Sequence, residues 1–162
     1  MNQAYLRARL ALITIALLFT CGVSRAAEQY ASAGAVFTAI PAALRTPPDG
    51  KWTLPRTFDV NQWLKQHVEG KSIGVVFQFS RVGKSMDQAD AHGTCPQDMP
   101  KELTDLYFEG FFPNPADAAK LKKAKRDDVL NCTAVIKHAE ISYRPRSGQL
   151  VFSIVVDHAS LK

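Results

Sequence analysis

The chain has 162 residues and a mass of 17.9 kDa, which by length is one ordinary domain. Apolar residues make up 46% and charged residues 22%, which excludes a disordered chain, a collagen-like fibre and a coiled coil. The formal charge of +5 and pI near 9.2 would invite a polyanionic partner, but the excess is concentrated in one segment.

That segment is residues 1–26. Arg7 and Arg9 precede an apolar run from Leu10 to Thr20, small residues follow, and no acid occurs before Glu28. This is the layout of a secretory signal peptide, with Ser24 and Ala26 placed for a cut before Ala27. The apolar run is about half of the ~20 residues a spanning helix needs, so an uncleaved anchor is the poorer reading. A third reading makes Cys21 the acylated first residue of a lipoprotein, although Phe19 and Thr20 fit that signal badly. Removing 1–26 takes away three arginines and no acids. The remaining 17 basic and 15 acidic residues give a net charge of +2, which removes most of the compositional case for a nucleic-acid partner. The expected location is periplasmic or secreted.

In an oxidising compartment, Cys95 and Cys132 form an even pair, and one disulfide is the expectation. It would close a loop of about 37 residues, a constraint valued at roughly 4 kcal/mol.

Along the chain, residues 27–57 read as a loosely organised N-terminal segment. It has a short edge strand at Ala35–Ile40 and a turn at Thr46–Gly50. Asp59 and Gln62 resemble a capping box, with Phe58 and Trp63 placed as a staple, so a helix is expected over 60–69. Ile73, Val75, Phe77 and Phe79 alternate with other residues, and 72–82 is expected as a strand. A polar loop runs from Gly83 to Pro96. A helix is expected from Asp98 to Glu109, with Leu103, Leu106 and Tyr107 on one side. Asn114 then caps a second helix that starts at Pro115 and runs to about Arg126. Finally, a hairpin turning at Ser147-Gly148 sets Tyr143 opposite Phe152, Ile141 opposite Ile154 and Ala139 opposite Val156. The same register puts His138 opposite Asp157 and Lys137 opposite His158.

These elements describe an α+β fold. A small antiparallel or mixed sheet of three to four strands, including the C-terminal β-hairpin, carries about three short helices on one face and one disulfide. The organisation is a leader at 1–26, the loose segment at 27–57 and a single domain at 58–162.

Catalytic motifs are incomplete. Val82-Gly83-Lys84-Ser85 resembles the end of a phosphate loop, but Gln78 stands where the first glycine belongs. His92, Cys95, Cys132 and His138 supply zinc-type ligands at spacings that match no common finger, so no metal and no cofactor is assigned. A thiol nucleophile would be Cys95, with His92 or His138 as base and Asp157 orienting the latter. Cys95, His92, His138 and Asp157 are therefore the catalytic candidates.

The partner-binding candidates are Lys120, Lys122, Lys123, Lys125 and Arg126 near a helix end, where cations also suit the helix dipole. Phe108 and Phe112 join them if exposed, as does Lys84 in the polar loop. The expectation is an exported, non-catalytic protein-binding module: an inhibitor, a toxin-immunity factor or an accessory component of an envelope machine. Its partner would be another envelope or secreted protein, possibly acidic, and not nucleic acid. The alternative is a small envelope hydrolase or transferase using Cys95 or the His138–Asp157 pair.

Overall fold

The computed structural model describes residues 29–47, 49–83 and 89–162. Its strands are β1 (Gln29–Tyr30), β2 (Ser72–Val82), β3 (Ala89–Thr94), β4 (Asp105–Phe112), β5 (Val129–Arg144) and β6 (Gln149–Leu161). Its α-helices are α1 (Ala33–Ala39), α2 (Ala42–Arg45), α3 (Leu54–His67) and α4 (Pro115–Lys123). β2 pairs with β3 and β3 with β4, both antiparallel, and β4 runs parallel to β6. β6 pairs antiparallel with β5, which returns antiparallel to β2. The fold is therefore α+β with a mixed sheet, but that sheet has five strands closed on themselves, with β1 added parallel at the start of β2. The strand order, with a helix before the fourth barrel strand, is that of OB-type Greek-key barrels.

Alternation in the sequence explains the closure. Ile73, Val75, Phe77 and Phe79 on β2, Leu106, Phe108 and Phe112 on β4, and Phe152, Ile154 and Val156 on β6 all point inward and are buried. The Phe77 and Phe108 rings stack 4.3 Å apart. Gly110 makes room for them, because a Cβ there would press on the Phe108 ring. The helices do not share one face, since a closed barrel has none. α3 lies along β5, α4 meets β3 and β4, and α1 packs beside β1 and β2.

Several expectations are corrected. Ala35–Ile40 is not an edge strand: Ser32 accepts the Ala35 N–H at 3.1 Å and caps α1. Ala33, Val36, Phe37 and Ile40 are buried in the common core, so this part of 27–57 is packed on the barrel. α3 starts at Leu54, capped by Thr53, with Pro55 in its first turn, so Asp59 falls inside the helix. Phe58 is 69% exposed and forms no staple.

Residues 105–112 form β4 rather than a helix. Leu106, Phe108 and Phe112 fit a two-residue period, and Leu103, Leu106 and Tyr107 imitate a helical one. The expected polar loop contains β3, whose interior residues Ala89, Ala91 and Gly93 carry little strand signal. The hairpin register is shifted by two residues. Tyr143 faces Leu150, Ile141 faces Phe152 and Ala139 faces Ile154 around the four-residue loop 145–148. A shift of two leaves each side chain on the same side of the sheet, so the apolar pattern alone does not distinguish the two registers.

The disulfide is also corrected: Cys95 and Cys132 are both free and buried. Cys132 pairs opposite Val75 on one side of β2, while Thr94 pairs opposite Gln78 on the other. β3 and β5 thus flank β2 on opposite sides without pairing with each other, and no S–S bond joins the two sulfurs.

Candidate functional site

One outer face of the barrel brings chemistry together. Across neighbouring strands, Arg81 pairs with His92, His92 with Glu109, and Glu109 with Val155. The inward residues beside them are core, so by alternation this row faces outward. His92 Nδ1 lies 3.9 Å from Glu109 Oε2. β2 bulges between Phe79 and Arg81, and the Ser80 hydroxyl donates to the His92 carbonyl at 3.0 Å, tying the strands where their ladder is interrupted.

Two adjoining hollows lie on this face. The first, about 370 Å³, is lined by Ser80, Arg81, His92, Thr94, Tyr107, Glu109 and Ser153 among others. The second, about 240 Å³, is lined by Asp90, Glu109, Phe111, Lys137, Val155 and Asp157 among others. They share Glu109 and Val155, so together they form a trough running across β2, β3, β4 and β6 and reaching Lys137 of β5. Tyr107 is 43% exposed there, and Phe111 is half-buried. Three carboxylates (Asp90, Glu109, Asp157) face two fixed cations (Arg81, Lys137).

The catalytic candidates are not brought together. Cys95 is fully buried, and its thiol is pushed up to about 12, chiefly by desolvation and then by the charges of Asp98 and Cys132. Burial likewise pushes the Cys132 thiol up to about 12, against a lowering influence from Lys162. Neither sulfur is a nucleophile in the folded chain. His138 faces Val155, not Asp157, which pairs opposite Val135. The extra residue at this bulge is Lys137, which therefore does not face His158. His138 instead places Nδ1 2.8 Å from Glu69 Oε1 and Nε2 3.5 Å from Glu140 Oε2, while Asp157 accepts the His158 N–H. The thiols face the core and His92 and His138 face outward, so these four side chains do not converge. Among the described residues, no group of three or more His, Cys, Asp or Glu is arranged to hold a metal ion.

The partner-binding candidates divide. Phe108 and Phe112 are 2% and 0% exposed and belong to the barrel core, so they form no surface patch. Lys120, Lys122, Lys123, Lys125 and Arg126 are all exposed. Lys84 lies outside the described residues, as does Ser85 of the same motif. The leader expected at 1–26, with Cys21, lies outside them too. No helix among the described residues is long and apolar enough to cross a membrane.

Of the trough residues, His92, Asp157, Arg81 and Asp90 stand out as polar groups in the sequence, whereas Glu109 escapes notice. Its signal is the alternation over 105–112, which turns Tyr107, Glu109 and Phe111 outward. Within the trough the Ser80 hydroxyl is committed to the His92 carbonyl, and the 3.9 Å from His92 Nδ1 to Glu109 Oε2 is longer than a hydrogen bond. No protein-family model matches the chain, and comparison with curated proteins finds none similar to it.

Proposed function

We propose that the chain is an exported, non-catalytic protein-binding module, periplasmic or secreted, acting as an inhibitor, an immunity factor or an accessory component of an envelope machine. The observation that carries this reading is the uncovered trough on β2, β3, β4 and β6, where Tyr107 and Phe111 supply apolar contact and Arg81, His92, Glu109 and Asp157 supply polar contact. Aromatic anchors with a charged surround are the usual make-up of a protein interface. The same face of OB-type barrels takes ligands, but three carboxylates oppose the phosphates of a nucleic acid. The residues of the enzyme alternative lack working geometry: Cys95 is sealed in the core and His138 is remote from Asp157 in register.

The test is capture from the native envelope, with retained proteins identified by mass spectrometry. A Tyr107→Ser/Glu109→Lys chain that folds normally should lose the captured partner, while a Lys51→Glu/Lys65→Glu chain keeps it. Capture that survives the trough substitutions, or substrate turnover by pure protein that retains nothing, overturns the proposal.

A further inference from the structure

The end of α4 carries chemistry the trough does not use. Asp117, Ala118 and Leu121 turn inward, which leaves Lys120, Lys122 and Lys123 outward, and exposed Lys125 and Arg126 follow immediately. Among the described residues, Lys120 is the one of these five cations in an ion pair, with Asp117 at 3.6 Å. Asp127 and Asp128 are adjacent. Both are exposed, and Asp128 accepts the Lys125 backbone N–H at 2.8 Å, so the patch keeps an excess of cations over these two acids. Val129, 59% exposed, stands just beyond.

We infer that this helix end docks on a bilayer surface carrying anionic headgroups. The kind of cation, and the lack of aromatic anchors in the same stretch of chain, favour a membrane over an acidic protein. Protein interfaces take their energy from aromatic and arginine anchors seated in pockets, and lysine is depleted there. Here four of the five cations are lysines, and residues 115–129 carry no aromatic side chain. Flexible, strongly hydrated ammonium groups suit a diffuse, laterally continuous charge, which strengthens binding roughly five-fold for each lysine near it. Val129 adds an apolar side chain for the headgroup boundary. This surface shares no residue with the trough, so the two contacts are separable.

The experiment is flotation of the full chain with vesicles of phosphatidylcholine alone or with about 30% phosphatidylglycerol. At about 0.1 M salt, binding should be roughly ten-fold or more stronger on the anionic vesicles, and about 0.5 M salt should erase the difference. Lys122→Glu/Lys123→Glu should lose most of that gain. Lys51→Glu/Lys65→Glu changes net charge equally at exposed positions elsewhere and should keep it, and the leader contributes alike to every chain compared. Equal binding to both vesicles, or a gain that Lys122→Glu/Lys123→Glu retains, overturns the inference. So does capture by a polyglutamate resin without any vesicle preference.

Discussion

Asn61 meets Ile141 as a neighbouring strand would: its side-chain amide donates to the Ile141 carbonyl at 3.0 Å, and its oxygen accepts the Ile141 N–H at 2.7 Å. β5 outruns its pairing with β2, which ends at Val135. α3 lies along the exposed side of the longer strand and satisfies it with one amide. Asn61→Ala leaves both backbone groups without this partner and should cost about 2 kcal/mol in urea unfolding. Asn61→Asp keeps only the acceptor and should fall between. Hydrogen exchange at the Ile141 amide should accelerate in Asn61→Ala; unchanged protection would show that the clamp contributes nothing.

Gly34 sits against Asp98 so closely that a Cβ would overlap the Asp98 carbonyl oxygen. Helix propensity alone favours alanine by about 1 kcal/mol. The overlap should outweigh it, so Gly34→Ala is expected to destabilise by roughly 2 kcal/mol on balance. A rise in melting temperature would show that α1 can move away at little cost.

The two buried thiols set a pH dependence. Both are held near 12 against an ordinary 9.0, so between those values the unfolded chain ionises while the folded chain does not. In that window the unfolded state binds fewer protons, and stability falls as pH rises. Their contribution is fully present below about pH 9 and is lost above it, at up to about 1.4 kcal/mol per pH unit for each thiol. Urea unfolding under reductant at pH 8 and pH 10 should show the decline, and Cys95→Ala/Cys132→Ala should flatten it. Thiol titration of the denatured, unreduced chain should find both Cys95 and Cys132 free.

The His92–Glu109 pair is at the surface and 3.9 Å long, so its contribution to stability should be under about 1 kcal/mol. His92→Gln and Glu109→Gln chains should therefore melt within a few degrees of the parent. Any loss of partner capture in them then reports lost contact rather than lost fold.

Local signals were legible where one pattern had no rival. The strand over 72–82 matches β2, and Asn114 with Pro115 marks the start of α4, because alternation and capping are short-range. β4 carries two periods at once, and only its pairing with β3 and β6 decides between them. The hairpin's sidedness was readable, but its register was not, since Phe152 fits opposite either Tyr143 or Ile141. That ambiguity misplaced Asp157 opposite His138. The trough depended on all of these pairings, so its residues were visible singly but not as a constellation.

The parallel contact between β4 and β6 has a consequence for biogenesis. β6 follows the other strands in sequence and stands between β4 and β5, so no barrel exists until residues 149–161 are available. A chain still emerging from the ribosome therefore stays open until β6 has followed β5, with β4 and β5 each lacking the strand that joins them.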